Sequence, residues 1–147
     1  MILRPIEKSD YKMLFNILQE RTPEQSISHK EMPTWDEHVA FIESDPYLFW
    51  YAIENENGPV GSVYITPARE VGIFLFKAVQ GEGYAGEALS VVMKMHPGKV
   101  LANINPANHA SKRFFQRMGF RQIQETWESP EDLNTGLSRW AEDEDNS

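Results

Sequence analysis

Apolar positions follow two periods along this chain, and the change from one to the other orders its elements. Residues 2–4 suit a short opening strand. Ser9 reads as a helix N-cap with Asp10 in the first turn, and Tyr11, Leu14, Phe15 and Leu18 follow at i, i+3, i+4 and i+7. This predicts a helix running to about Glu20. A polar, irregular stretch comes next (RTPEQSISHKEMP). Thr34-Trp35-Asp36-Glu37 then spells a capping box, with Trp35, Val39 and Ile42 as the buried stripe of a second helix ending near Ser44. His38 falls on that stripe and reads as a core histidine. The period then becomes that of strands. Residues 48–53 and 60–65 form a hairpin through the turn Asn55-Glu56-Asn57-Gly58, and residues 71–76 are apolar at nearly every position, as a strand buried on both faces would be. Residues 83–95 return to helical spacing through Ala85, Ala88, Leu89 and Val92, and Pro97-Gly98 ends them. Residues 100–104 read as a strand. Asn108 caps a helix that turns Ala110, Phe114 and Met118 inward, with Gly119 at the left-handed position after it. Residues 120–127 read as a last strand. The order is β-α-α-β-β-β-α-β-α-β, an α/β chain with an antiparallel first half and a strand-helix-strand second half.

Composition narrows what such a chain can do. At 147 residues, 41% hydrophobic and 12% aromatic, it is one domain with a sizeable core. That domain is expected over residues 1–127, with an acidic tail over 128–147. The absence of cysteine excludes disulfides, thiolate metal sites and a thiol nucleophile. Four histidines at no ligand spacing predict no metal site. A net charge of −8 makes nucleic acid a poor partner and mildly favours a cationic substrate such as an amine. No apolar run approaches the roughly 18 residues of a membrane helix. The opening MILRPIEKSD lacks a signal peptide's apolar stretch, so a cytoplasmic protein is expected.

The strongest local feature is Gln80-Gly81-Glu82-Gly83-Tyr84-Ala85-Gly86, which follows an apolar strand and opens a helix. Glycines there let backbone N–H groups crowd an anion, and the helix N-terminus adds positive partial charge. A phosphate or pyrophosphate site is one reading. Gly81, Gly83 and Gly86 also spell the dinucleotide fingerprint, but that needs an acidic residue about 20 positions on, and between Ser90 and Gln124 there is no Asp or Glu. A tight turn that holds no ligand is the third reading.

About twenty residues later comes Asn108-His-Ala-Ser111, followed by Gly119-Phe120. Together the two segments resemble the GNAT superfamily of N-acetyltransferases. Residues 80–85 match its Q/R-x-x-G-x-G/A motif, Asn108, Ser111 and Gly119-Phe120 match its N-x-x-S…G-F pattern, and residues 2–10 look like its usual opening. The resemblance covers about residues 1–127.

It implies a mixed sheet of about six to seven strands flanked by four helices, with two central parallel strands splayed apart and acetyl-coenzyme A between them. By the same resemblance, backbone groups of Leu75, Phe76 and Lys77 would hold the pantetheine arm, and Gln80, Gly81, Gly83, Tyr84 and Ala85 the pyrophosphate. Asn108 would reach the pantetheine, and Ser111 and Lys112 the far side of the cofactor. Gln80 stands where relatives often carry Arg. An amine would attack the thioester directly, so the missing cysteine is no obstacle. The tyrosine that usually protonates the leaving thiolate is replaced by Phe115, which leaves Tyr64 or Tyr84 by residue type. Glu70 is the candidate base, its plain alternative being a surface turn residue, and Asn103 lines the gap. His29 and His109 read as surface residues, and Trp50 and Tyr51 as strand aromatics that wall either the acceptor site or the core. The implied activity is acetyl transfer to a primary amine of a small molecule or amino sugar, by a possible homodimer. The alternatives are a non-catalytic acyl-coenzyme A binder and an acetyltransferase of a protein or peptide amine.

Overall fold

The computed structural model describes residues 1–21 and 31–131. Five strands make one sheet in the order β1-β2-β3-β4-β5. They are β1 (Ile2–Pro5), β2 (Phe49–Asn55), β3 (Gly58–Ile65), β4 (Glu70–Leu75) and β5 (Leu101–Ala102). The first four pair antiparallel, and β5 joins β4 in parallel after a helical crossover. Helices α1 (Tyr11–Gln19) and α2 (Trp35–Glu43) precede β2, while α3 (Tyr84–Met95) and α4 (His109–Arg117) flank β5 in sequence. The strand alternation sends Ile53, Val63, Ile65 and Val71 into a core with Ala88, Leu89 and Val92 of α3. On the opposite face Ala52 and Ser62 are buried, and α1 packs on β3 from that side with Leu14 and Ile17 inward. Among the described residues no helix is long and apolar enough to cross a membrane.

The sheet is smaller than the six to seven strands expected. Residues 120–127 form no strand, and Ile123 and Trp127 are 63% and 85% exposed. Their apolar positions, 120, 123 and 127, do not stay on one face of a two-residue repeat. The expected strand over 100–104 contracts to Leu101–Ala102, because Asn105 bends the chain by accepting the Ala107 N–H at 2.9 Å. Only Val71 of β4 is fully buried; the rest is half-buried along an edge that β5 leaves uncovered. In α2, Trp35 is 42% exposed and meets Phe15 edge-on, so His38 and Ile42 are the buried pair. The His38 side chain hydrogen-bonds the Tyr11 carbonyl through Nε2 at 2.9 Å, as a satisfied core histidine does. The Thr34–Glu37 capping box forms as read. In α4, Ala110 is exposed, and Gly119 takes its left-handed conformation at φ +90°.

Ser9 caps nothing. A short 3-10 turn over Lys8–Asp10 precedes α1, because Asp10 is drawn inward. Its carboxylate grips Arg4 with two bonds of 2.7 Å and accepts the Glu7 N–H at 2.8 Å, while Asp10 is 1% exposed. Burial alone would raise this carboxyl, but Arg4 and the Glu7 N–H outweigh it and hold it below the usual carboxylate range. A folded-state value lowered in this way stabilises above the unfolded value, and that stability is lost as pH falls through the folded one. Asp10→Asn is expected to cost about 3 kcal/mol at pH 7, because it leaves Arg4 without its main partner. The penalty should shrink towards pH 3, as urea denaturation at the two pH values would measure.

Candidate functional site

The site begins where β4 and β5 part. Only Glu70 with Leu101 and Val71 with Ala102 are paired across them. Beyond Val71 the outer edge of β4 has no strand beside it. Which backbone groups line this gap follows from the alternation of an antiparallel ladder. Phe76 donates its N–H to the Val60 carbonyl at 3.0 Å, and the Glu70 carbonyl accepts from Thr66 at 2.9 Å. Even-numbered residues of β4 therefore bond towards β3. Ile73 and Leu75 turn their N–H and carbonyl groups to the gap, continuing the side on which the Arg69 carbonyl accepts from Leu101 at 2.8 Å. Of the three residues expected to offer backbone groups, only Leu75 faces the gap, and its carbonyl accepts from the Gln80 side chain at 3.3 Å. The Phe76 N–H is used by β3, and the Lys77 N–H by the Glu20 carboxylate at 2.8 Å. Ile73 was missed by the sequence reading, since strand parity depends on which partner claims which edge.

At the mouth of the gap lies Tyr64. It stands opposite Gly72 in the β3–β4 register, and its ring crosses β4 through the space that a side chain at Gly72 would fill. Any other residue at 72 would collide with the phenol. Tyr47 stacks on Tyr64 with ring centroids 3.8 Å apart and planes 2° from parallel. Burial raises both phenols above the usual tyrosine range, so both keep their protons at neutral pH.

Two residues away on the same face of β4 stands Glu70, half-buried, with its carboxylate accepting a hydrogen bond from the Asn103 side chain. Glu70 and Asn103, singled out separately in the sequence, thus touch each other, and the Tyr64 ring lies over Gly72 on the same face of the sheet. Further along, Gly81 and Gly83 adopt φ of +86° and +87°, with open space where a Cβ would sit. Gly83 is the N-cap of α3 and supplies no side chain, so the first-turn N–H groups of a 12-residue helix are left uncapped. The loop is exposed. These features fit an anion held by backbone groups.

The acetyltransferase (GNAT) domain model matches residues 1–121. This chain belongs to the GNAT acetyltransferase family. Its fold is similar to that of spermidine N-acetyltransferase from Vibrio cholerae in complex with CoA and spermine, with a TM-score of 0.75 at 17% identity over 87% of this chain and 85% of that one. A domain from Methanocaldococcus jannaschii superposes with a TM-score of 0.70 at 22% identity, covering 86% and 92% of the two chains. In sequence, 72 residues are 26% identical to a peptidyl-lysine N-acetyltransferase of Salmonella typhimurium, 49% of each chain. The chain spans about half the length of that curated relative.

GNAT proteins use acyl-coenzyme A. The Asn108 side chain accepts the Ser111 N–H at 3.0 Å as the N-cap of α4, and Lys112 is exposed beside it. Ala85 is half-buried in the first turn of α3. Tyr84 turns away, its hydroxyl accepting from the Asn55 side chain at 3.2 Å at the hairpin end of the sheet. Phe115 packs between Phe114 and Phe120, with centroids 5.0 and 5.1 Å away. Of the two tyrosines considered in its place, only Tyr64 sits by the gap. Trp50 lies in the aromatic cluster on the Tyr64 face, 4.6 Å from Tyr47 between centroids, whereas Tyr51 bonds His96 on the other face at 2.6 Å. His109 is exposed in the first turn of α4, and His29 lies outside the described residues. Among the described residues there is no group of three metal-ligating side chains.

Proposed function

We propose that this chain transfers an acetyl group from acetyl-coenzyme A to a primary amine of a small molecule or amino sugar. One observation carries the reading: β4 and β5 part just beyond the bonded Glu70–Asn103 pair, with the Tyr64 ring over Gly72 on the same face and the glycine loop following the end of β4. Bound acetyl-coenzyme A supplies an activated thioester, whose C–S bond breaks as the amine forms a C–N bond. Backbone N–H groups of Gly81, Gly83, Tyr84 and Ala85 would hold the pyrophosphate. The edges of Ile73 and Leu75 would pair with the pantetheine amides, Asn108 would reach the same arm, and Ser111 and Lys112 the nucleotide end. Glu70, oriented by Asn103, holds the ammonium form of the acceptor and takes its proton. The Ile73 N–H faces the gap and would stabilise the developing oxyanion. The Tyr64 hydroxyl would return a proton to the departing sulfur, the role Phe115 cannot fill.

Two other readings have support. Phe115 favours a module that binds acyl-coenzyme A without chemistry. The similarity to a peptidyl-lysine N-acetyltransferase favours a protein amine as acceptor. Thiol release from acetyl-coenzyme A, followed across a panel of amines, amino sugars and lysine peptides, separates the three. Release with small amines alone supports the proposal. Release with peptides alone supports the protein acceptor, and binding without release with any amine supports the silent module.

A further inference from the structure

The residue just before Glu70 has a strained backbone and a fully engaged side chain. Arg69 holds φ of +65°, a left-handed conformation that glycine or asparagine takes at less cost. What arginine adds there is its guanidinium. It reaches the connection between α3 and β5, donating through Nη2 to the His96 carbonyl at 2.9 Å and through Nε to the Lys99 carbonyl at 3.1 Å. His96 is the C-cap of α3, where carbonyls lack intrahelical partners and a cation meets the negative end of the helix dipole. Gly98 makes room for this fork, since a Cβ built on it would stand 3.0 Å from Nη2 of Arg69. The Arg69 carbonyl then accepts the Leu101 N–H at 2.8 Å, at the first residue of β5. Beyond that bond β5 pairs with β4 only through Glu70–Leu101 and Val71–Ala102. Asn103 comes directly after the last of these pairs, exposed, with its side chain on the Glu70 carboxylate.

We infer that Arg69 is a positioning residue for the proposed acetyl transfer: by pinning the α3–β5 connection to the start of β4, it sets where Asn103 meets Glu70. Its guanidinium is taken up by the two carbonyls, so it acts through Asn103 rather than on the acceptor. The β4 edge offered to the coenzyme does not depend on it, because β3 holds β4 through the pairs from Gly61–Leu75 to Ile65–Val71. The glycine loop lies at the opposite, N-terminal end of α3. Loss of the fork therefore disturbs the handling of the amine and spares the coenzyme. Lysine is no substitute: it keeps the charge, but its compact ammonium on a flexible stem lacks the rigid fork that fits both carbonyls.

This inference rests on the proposed roles of Glu70 and Asn103, and its test keeps the two apart. Arg69→Lys, Asn103→Ala and the double variant are compared with the natural chain in kcat/KM for the best amine of the panel. Acetyl-coenzyme A affinity is measured by calorimetry, folding by melting curves, and the Asn103 side-chain amide by its NMR resonance. Each single variant should lose about tenfold or more in kcat/KM, as a misplaced reacting group does. The double variant should be within about twofold of the slower single, because both changes act through one contact. Coenzyme affinity should stay within about twofold of the natural value, and the Asn103 amide resonance should move in Arg69→Lys towards that of a solvated asparagine. Losses that multiply in the double variant, or an unmoved Asn103 resonance in Arg69→Lys, overturn the inference and leave acetyl transfer standing. Coenzyme affinity that falls in step with activity also overturns it, as the mark of a merely structural role. Unchanged kcat/KM in Asn103→Ala overturns the role of the Glu70–Asn103 pair and the inference with it. Coenzyme bound with no turnover of any amine overturns both the inference and the transfer.

Discussion

Replacing Gly83 by glutamate is expected to abolish acetyl-coenzyme A binding in a chain that still folds. The position holds φ of +87° and is the N-cap of α3. No atom stands within 4 Å of a Cβ built there, so nothing is pushed aside. The folded state bears only the left-handed strain of a non-glycine residue, about 1 to 2 kcal/mol. Part of that is offset, because a carboxylate beside a helix N-terminus is favourable. The same carboxylate would compete for the N–H groups proposed to hold the pyrophosphate and would repel its charge. A loss of about 100-fold or more in affinity is expected, equivalent to about 2.8 kcal/mol. Gly83→Ala introduces the strain without the charge and should weaken binding much less. Calorimetric titration of the two variants, with melting curves alongside, separates the effects. Unchanged binding in Gly83→Glu would reject the pyrophosphate assignment.

The second large effect is expected at Tyr64. Tyr64→Phe keeps the ring that stacks on Tyr47 and lies over Gly72, and removes only the hydroxyl. If that hydroxyl returns the proton to the leaving thiolate, kcat should fall by about 10² to 10⁴, the usual worth of a positioned acid. KM for acetyl-coenzyme A should change little, because the loop and the β4 edge are untouched. Burial holds Tyr64 above the usual tyrosine range, so activity that depends on its protonated form should persist to alkaline pH and fall only above that range. That alkaline limb should vanish in Tyr64→Phe. A kcat within about threefold of the natural chain would mean that water or another group delivers the proton. Gly72→Ala provides an independent check, since its methyl would force the phenol out of place and should lower kcat in the same way.

Much of this arrangement was legible in the sequence. The helical spacing of Leu14 and Ile42, the Thr34–Glu37 capping box and the left-handed Gly119 are local rules, and the structure obeys them. The glycine loop and Asn108 were legible for the same reason, each being a backbone requirement written in a few adjacent residues. What escaped was set by distant partners. Ser9 lost its cap role because Asp10 pairs with Arg4 across the start of the sheet. The outward edge of Ile73 depends on the hydrogen bonds that β3 claims, and the Lys77 N–H is taken by Glu20, 57 positions away. Tyr64 was named only by residue type, because its place over Gly72 is a matter of register that no spacing reveals. Residues 120–127 carried β-prone side chains but no consistent face, and the short β5 gives them little to pair with.

The gap between β4 and β5, closed at one end by the glycine loop, is proposed to take acyl-coenzyme A. Calorimetric titration of the purified chain with acetyl-coenzyme A, with coenzyme A and NAD as controls, tests it most directly. Micromolar binding of the acetylated form and no binding of NAD are expected. Binding of neither coenzyme would contradict it, leave the loop a structural turn, and remove the basis for the proposed chemistry.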